Sequence, residues 1–220
     1  MATATETVAI DAGDVTLTGD LVLPEAAPGI VCFAHGSGSS RHSPRNRQVA
    51  ETLQRAGLGT LLMDLLSEEE ERVDRVTAEL RFDIPLLGRR VTAAVDRLAE
   101  RPDTGSLPVG LFGASTGAAA ALVAAAARAD RVSAVVSRGG RPDLAGTALG
   151  RVRAPVLLIV GGEDREVLEL NEQAAEQLTA EYRVHVIPGA THLFEEPGTL
   201  EAAADAARDW FLRMGGAGGR

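Results

Sequence analysis

The first thirty positions alternate between apolar and polar side chains. Residues 15–23 read as an extended strand with one covered face, and residues 6–10 precede them across Asp11-Ala12-Gly13-Asp14. Two such runs joined by a polar, Gly-containing turn predict an antiparallel hairpin. The pattern then changes. Residues 30–34, 60–63, 109–112, 132–136, 156–160 and 184–187 are short runs with almost no polar interruption. Strands covered on both faces, as in a parallel sheet, have this composition.

Helical signals separate these runs. Ser43-Pro44 pairs an N-cap with a proline at the first helical position, and Gly57 closes that helix. Ser67 with Glu70 forms a capping box, so the acidic run at residues 68–71 reads as a first turn that complements the helix dipole. Pro85 interrupts the next pattern, which restarts over residues 86–98. Further helices are expected at residues 116–128, 167–178 and 200–212. Strands alternating with helices predict right-handed βαβ units. The expected fold is α/β: a compact three-layer, doubly wound, mostly parallel sheet with an antiparallel N-terminal hairpin and no large lid domain. One domain over residues 1–214 is expected, with a flexible tail at 215–220.

Composition narrows the function classes. The chain has 220 residues, with 22 basic and 31 acidic side chains and a net charge of −9. With one Trp, one Tyr and five Phe it offers nucleic acid neither neutralising charge nor stacking platforms. No apolar run reaches the roughly 20 residues that a bilayer span needs, so no membrane partner is expected. The opening Met-Ala-Thr-Ala-Thr-Glu-Thr has no basic and then apolar segment, so no secretory leader is expected and a cytoplasmic location is. A single Cys rules out an internal disulfide framework, and the four His form no close ligand pair. Neither a metal nor another cofactor is expected.

The chemistry concentrates in Gly113-Ala114-Ser115-Thr116-Gly117. It follows an apolar strand and opens an Ala-rich helix, the context in which G-x-S-x-G presents a nucleophilic serine on a strained turn. Side chains two residues either side of Ser115 would collide with neighbouring backbone, which explains the glycines. A helix-capping Ser in a Gly-rich turn is the simpler alternative. Two later strand exits supply the remaining parts in the order this fold requires. Asp164 follows the run ending at residue 160, and His192 follows the run ending at residue 187. Taken singly, Asp164 reads equally as a helix cap and His192 as a loop residue. Asp143 and Glu163 are reserve acids.

The loop His35-Gly36-Ser37-Gly38-Ser39-Ser40 exits an early strand. Its small residues let backbone N–H groups approach a substrate carbonyl, so Ser37 and Thr116 are the candidate oxyanion donors. His35 lies too early in the chain to be the base and is expected to pin this loop. His185 is expected inside a strand as a core or face residue, His42 at the surface, and Cys32 as a small core residue. Arg41 and Arg138 stand near the expected site and are candidates to hold a substrate carboxylate, with structural ion pairs as the competing role. Residues 67–83 are a candidate cover for the site.

From about residue 30 to 211 the chain resembles the α/β-hydrolase superfamily, within it the dienelactone-hydrolase-like family. The resemblance is carried by His35-Gly36-Ser37-Gly38, Gly113-Ala114-Ser115-Thr116-Gly117, Gly162-Glu163-Asp164 and Thr191-His192. Dienelactone hydrolases proper use a Cys nucleophile, whereas Ser115 stands there in this sequence. The resemblance therefore implies a serine hydrolase acting on a small-molecule carboxylic ester or related acyl compound through Ser115, Asp164 and His192. An acyltransferase or perhydrolase with the same residues is an alternative, and so is a non-catalytic small-ligand receptor on the same fold.

Overall fold

The computed structural model describes residues 4–215. Strands β1 (Thr5–Asp11) and β2 (Thr16–Val22) form the expected antiparallel hairpin, in register from Thr5 opposite Val22 to Asp11 opposite Thr16. Strands β3 (Ile30–Ala34), β4 (Gly59–Met63), β5 (Val109–Ala114), β6 (Val132–Arg138), β7 (Val156–Gly161) and β8 (Tyr182–Ile187) follow. The eight lie in the order β1-β2-β4-β3-β5-β6-β7-β8. β2 meets β4 antiparallel, and every later pairing is parallel.

The apolar runs are explained by burial on both faces. Along β3, Ile30 and Cys32 face one layer while Val31 and Phe33 face the other. The first layer is supplied mainly by α3 (Ile84–Glu100) and α4 (Thr116–Ala127). The second is supplied by α1 (Pro44–Arg55) and α6 (Thr199–Gly215), including Trp210 and Phe211. β8 departs from the expected two-sided burial. It is the last strand of the sheet, so Tyr182, Arg183 and Val186 are exposed and His185 is only half-buried.

Helix boundaries follow the sequence signals with small shifts. Ser43 caps α1, and the Ser67–Glu70 capping box opens α2 (Glu68–Thr77). Pro85 stands in the first turn of α3 rather than before it, because the Asp83 carboxylate accepts the Leu86 N–H at 2.9 Å and starts the helix earlier. Helix α5 spans Arg165–Ala175. A 3₁₀ segment at Pro142–Arg151, which has no clear sequence signal, follows β6. Of the tail expected at 215–220, Gly215 ends α6 and residues 216–220 lie outside the described residues.

The acidic start of α2 does more than complement a helix dipole. Glu70 accepts from the fully buried Arg90 of α3 at 2.8 Å, and Asp14 in the hairpin turn meets the same guanidinium at 3.0 Å. Arg90 thus fastens α2 and the hairpin to the core, with its aliphatic stem packed among apolar neighbours. Arg90→Ala removes the stem and leaves both carboxylates unpaired. We expect a loss of about 2–4 kcal/mol in urea unfolding, whereas a loss within about 0.5 kcal/mol would deny this role.

Candidate active site

Strand order places the site. β3 is followed by β4 on one side, and the chain then crosses to place β5 on the other side of β3. Loops leaving β3 and β5 therefore diverge and open a crevice, the usual binding position in an open α/β sheet.

Ser115 occupies the tight turn between β5 and α4, with φ 51° and ψ −123°. A residue other than Gly rarely adopts this backbone, which costs on the order of 1–3 kcal/mol. The flanking glycines make it possible. A Cβ on Gly113 would lie 2.4 Å from the Ala118 Cα, and one on Gly117 would lie 2.2 Å from the Ala34 carbonyl oxygen. Ser115 holds the N-cap position of α4, yet its hydroxyl caps nothing. The simpler alternative of a capping Ser is therefore set aside.

Asp164 behaves in the same way at the start of α5. It stands at the N-cap without a capping hydrogen bond, and its Oδ2 instead accepts from His192 Nδ1 at 2.7 Å. This bond leaves His192 Nε2 as the ring's unprotonated nitrogen, and Ser115 and His192 line the same cavity. The loop carrying His192 is held by Glu196, which accepts from the Thr191 N–H at 3.0 Å and from the Thr191 hydroxyl at 2.6 Å. These bonds keep the Glu196 carboxyl below its ordinary range. Phe194, buried with φ 55°, places a left-handed turn in the same loop. Sequence reasoning missed Glu196 and Phe194, since neither belongs to a recognisable motif.

Ser37 and Thr116 lie on the two sides of the crevice. Among the described residues, neither backbone N–H has a protein acceptor. His35 ties this loop down. Its Nδ1–H donates to the Gly36 carbonyl at 2.9 Å, and the Leu65 N–H donates to its Nε2 at 3.0 Å, which assigns a neutral ring. Burial lowers its basicity, opposed in part by the Gly36 bond and the nearby Asp64 charge.

The remaining candidates divide. Arg41 does not reach the crevice. Its side chain is bound to Asp64, its backbone N–H donates to the same carboxylate at 2.8 Å, and Asp20 lies 3.5 Å away. With two carboxylates already around it, Arg41 is scaffolding rather than a substrate contact. Arg138 does line the crevice and has no carboxylate partner. Asp143 is paired with Arg141 at 2.7 Å, which accounts for its charge away from His192. Cys32 is fully buried, and burial pushes its thiol up to about 12, so it stays protonated. His42 is exposed. No group of His, Cys, Asp and Glu among the described residues could hold a metal ion.

The crevice has two lobes. A cavity of about 260 Å³ lies against Ser115, His192, Arg45, Asn46 and Arg138. A second of about 360 Å³ lies against Thr116, Leu65, Leu66 and Leu87, walled by Glu71, Asp74 and Arg81 from α2 and the 3₁₀ turn after it. The segment at 67–83 thus forms one wall of the site. Glu71 is raised above the usual carboxylate range by partial burial and by Asp64.

The sheet order, the strained serine turn and the carboxylate-bound histidine at successive strand exits define an α/β-hydrolase. The sequence profile of the dienelactone hydrolase family matches residues 17–215, and the chain belongs to that family. A dienelactone hydrolase from Anabaena variabilis ATCC 29413 has the same fold, with 58% identity and a TM-score of 0.96 over 97% of this chain and 99% of that one. Est1E from Butyrivibrio proteoclasticus shares the fold alone, at 19% identity and a TM-score of 0.77 over 94% of this chain and 98% of that one. A curated relative in Mycobacterium tuberculosis H37Rv, named "Putative phosphoribosyl transferase Rv0571c", is 60% identical over 207 residues. The match covers 94% of this chain and 46% of that protein, so the chain spans about half the length of the curated relatives it matches. No helix among the described residues is long and apolar enough to cross a membrane.

The His35 tie has a pH signature. In the folded chain His35 takes up a proton less readily than in the unfolded chain, so the unfolded state binds more protons below the ordinary His value of 6.5. Stability therefore falls on acidification through that value. His185, lowered by burial and by Arg183, adds to the same slope. His35→Gln is expected to flatten the fall in unfolding free energy between about pH 7 and pH 5. An unchanged slope would assign the effect elsewhere.

Proposed function

We propose that this hydrolase cleaves carboxylic esters or related acyl bonds of small molecules through a Ser115-His192-Asp164 triad. The observation that carries the reading is the double refusal to cap: Ser115 and Asp164 both stand at helix N-caps, and neither side chain serves the helix. Such positions ordinarily gain about 1 kcal/mol from a capping bond. Here the Asp164 carboxylate orients His192, and Ser115 stands on a turn whose strain gives the packing nothing in return.

In the proposed reaction Ser115 Oγ attacks the acyl carbonyl while His192 Nε2 takes its proton. Asp164 holds the ring in the Nδ1–H tautomer and stabilises the imidazolium. The Ser37 and Thr116 N–H groups receive the oxyanion. His192 then gives the proton to the departing alcohol oxygen as the C–O bond breaks, leaving an acyl-serine. Water, deprotonated by His192, attacks that ester and returns Ser115 to its hydroxyl form. The protonated, buried thiol of Cys32 supports serine rather than cysteine as the nucleophile.

The transferase name of the mycobacterial relative belongs to a chain about twice as long. The arrangement around Ser115 favours acyl chemistry, so that name is not carried over.

Initial rates on 4-nitrophenyl acetate and butyrate test this reading. Ser115→Ala and His192→Ala are each expected to lower kcat by about 10⁴-fold, with Asp164→Asn close behind, and the three losses should not add. Turnover by Ser115→Ala within tenfold of the native chain would reject it. Product analysis with a competing alcohol separates hydrolysis from acyl transfer.

A further inference from the structure

The smaller lobe of the crevice has a charge pattern that hydrolysis of a neutral ester does not need. Its lining includes two guanidinium groups, Arg45 and Arg138, and no carboxylate, in a chain with nine more acidic than basic residues. Arg138 is 7% exposed at the end of β6. Its one hydrogen bond is a long one, 3.4 Å from Nη2 to Asn46 Oδ1, and its Nε has no partner. The Phe194 ring lies 5.6 Å from the guanidinium carbon, which supports the charge without neutralising it. Burial, and then the charge on Arg45, pushes Arg138 down to about 10, so it still carries its proton at neutral pH.

A buried charge without a counter-ion costs stability unless something regularly completes it. Of the other arginines around the crevice, Arg81 pairs with Asp74, Arg41 lies behind it with Asp64 and Asp20, and Arg75 stands on the exposed face of α2. Arg45 meets only Glu195, at 3.6 Å on the exposed rim. A further source of positive potential opens on the same lobe. Ser43, Arg45 and Asn46 form the first turn of the twelve-residue helix α1, which contains no acidic residue in that turn. Among the described residues the Arg45 N–H has no protein acceptor. A helix N-terminus attracts anions, and Arg138 is the independent sign that one belongs here.

We propose that the lobe lined by Arg138, Arg45 and the N-terminus of α1 is a subsite for a phosphate monoester carried by the substrate, beside the ester that Ser115 attacks. Two guanidinium groups and a helix N-terminus match a group with about two negative charges better than a carboxylate with one. Arg138 supplies the buried contact through its guanidinium, which lines the lobe and has no counter-ion among the described residues. Arg45 reaches in from the rim and exchanges Glu195 for the ligand. The subsite confers specificity and takes no part in bond making or breaking. It rests on the esterase reading above and adds to it the substrate class.

The test compares matched 4-nitrophenyl esters whose acyl chains end in methyl, carboxylate or phosphate. The native protein is expected to favour the phosphate ester over the methyl ester by about tenfold or more in kcat/KM. Arg138→Gln and Arg45→Gln should each reduce that ratio about tenfold. Arg45 is the safer variant, since it lies at the surface and its replacement does not open the core. Inorganic phosphate should raise the Tm of the native protein above that in chloride of equal ionic strength, and should do so less in Arg45→Gln. A methyl ester turned over as fast as the phosphate ester would overturn the proposal. So would a carboxylate ester preferred over the phosphate one, or a preference that survives both substitutions. If no ester is turned over at all, the triad reading fails. The phosphate-dependent Tm then still decides the subsite: a shift lost in Arg45→Gln upholds it, and no shift overturns it.

Discussion

The candidate active site depends on one backbone turn. Ser115 is held at a positive φ between a fully buried strand and a helix buried along most of its length, and neither can shift to relieve it. The strain is sustained because packing on both sides fixes the positions of β5 and α4. It also needs two missing side chains, at Gly113 and Gly117, since backbone from Ala118 and Ala34 fills that space. The surrounding loops are then bonded to the turn itself. The Ser115 carbonyl accepts from Arg141 N–H at 3.1 Å, and the Ser115 N–H points to the Arg138 carbonyl at 3.4 Å. The same bonds that brace Ser115 bring Arg138 alongside it.

Around this turn the molecule separates rigid positioning from variable recognition. His35, Asp64 and Arg41 connect the exits of β3 and β4, so the loop carrying Ser37 is anchored from behind. Glu196 and Phe194 fix the histidine loop. The walls facing a substrate come from elements with fewer such ties: the exposed side of α2, the start of α1 and the rim near Leu193 and Glu195. Asp74 is the exception in α2. It accepts from the Leu80 and Arg81 N–H groups and from the Arg81 side chain, which closes the segment into a fixed wall.

Most of the fold could be read from the chain because its rules are local. Six apolar runs and the caps at Ser43 and Ser67 leave little freedom once a parallel sheet is assumed. The places of Ser115, Asp164 and His192 could be read because each follows a strand end on the same edge of the sheet. What escaped depends on distances that no spacing encodes. Arg41 and Arg138 looked equivalent in the sequence, yet one has two carboxylate partners and the other has none. The partners of Arg41 lie at Asp20 and Asp64, in other strands or loops. Arg45 was hidden inside an ordinary helix start, and β8 looked like a central strand because an edge position leaves no mark on four residues. The 3₁₀ segment after β6 was missed because its turns are too short for a hydrophobic period.

On the proposed reading, the strained turn presents an activated serine to a histidine positioned by Asp164. Intact-mass measurement after exposure to a fluorophosphonate probe tests it without any assumption about the substrate. A single adduct is expected, located on Ser115 by peptide mapping and absent from Ser115→Ala. A folded native protein that acquires no adduct, or acquires it at another residue, would contradict it.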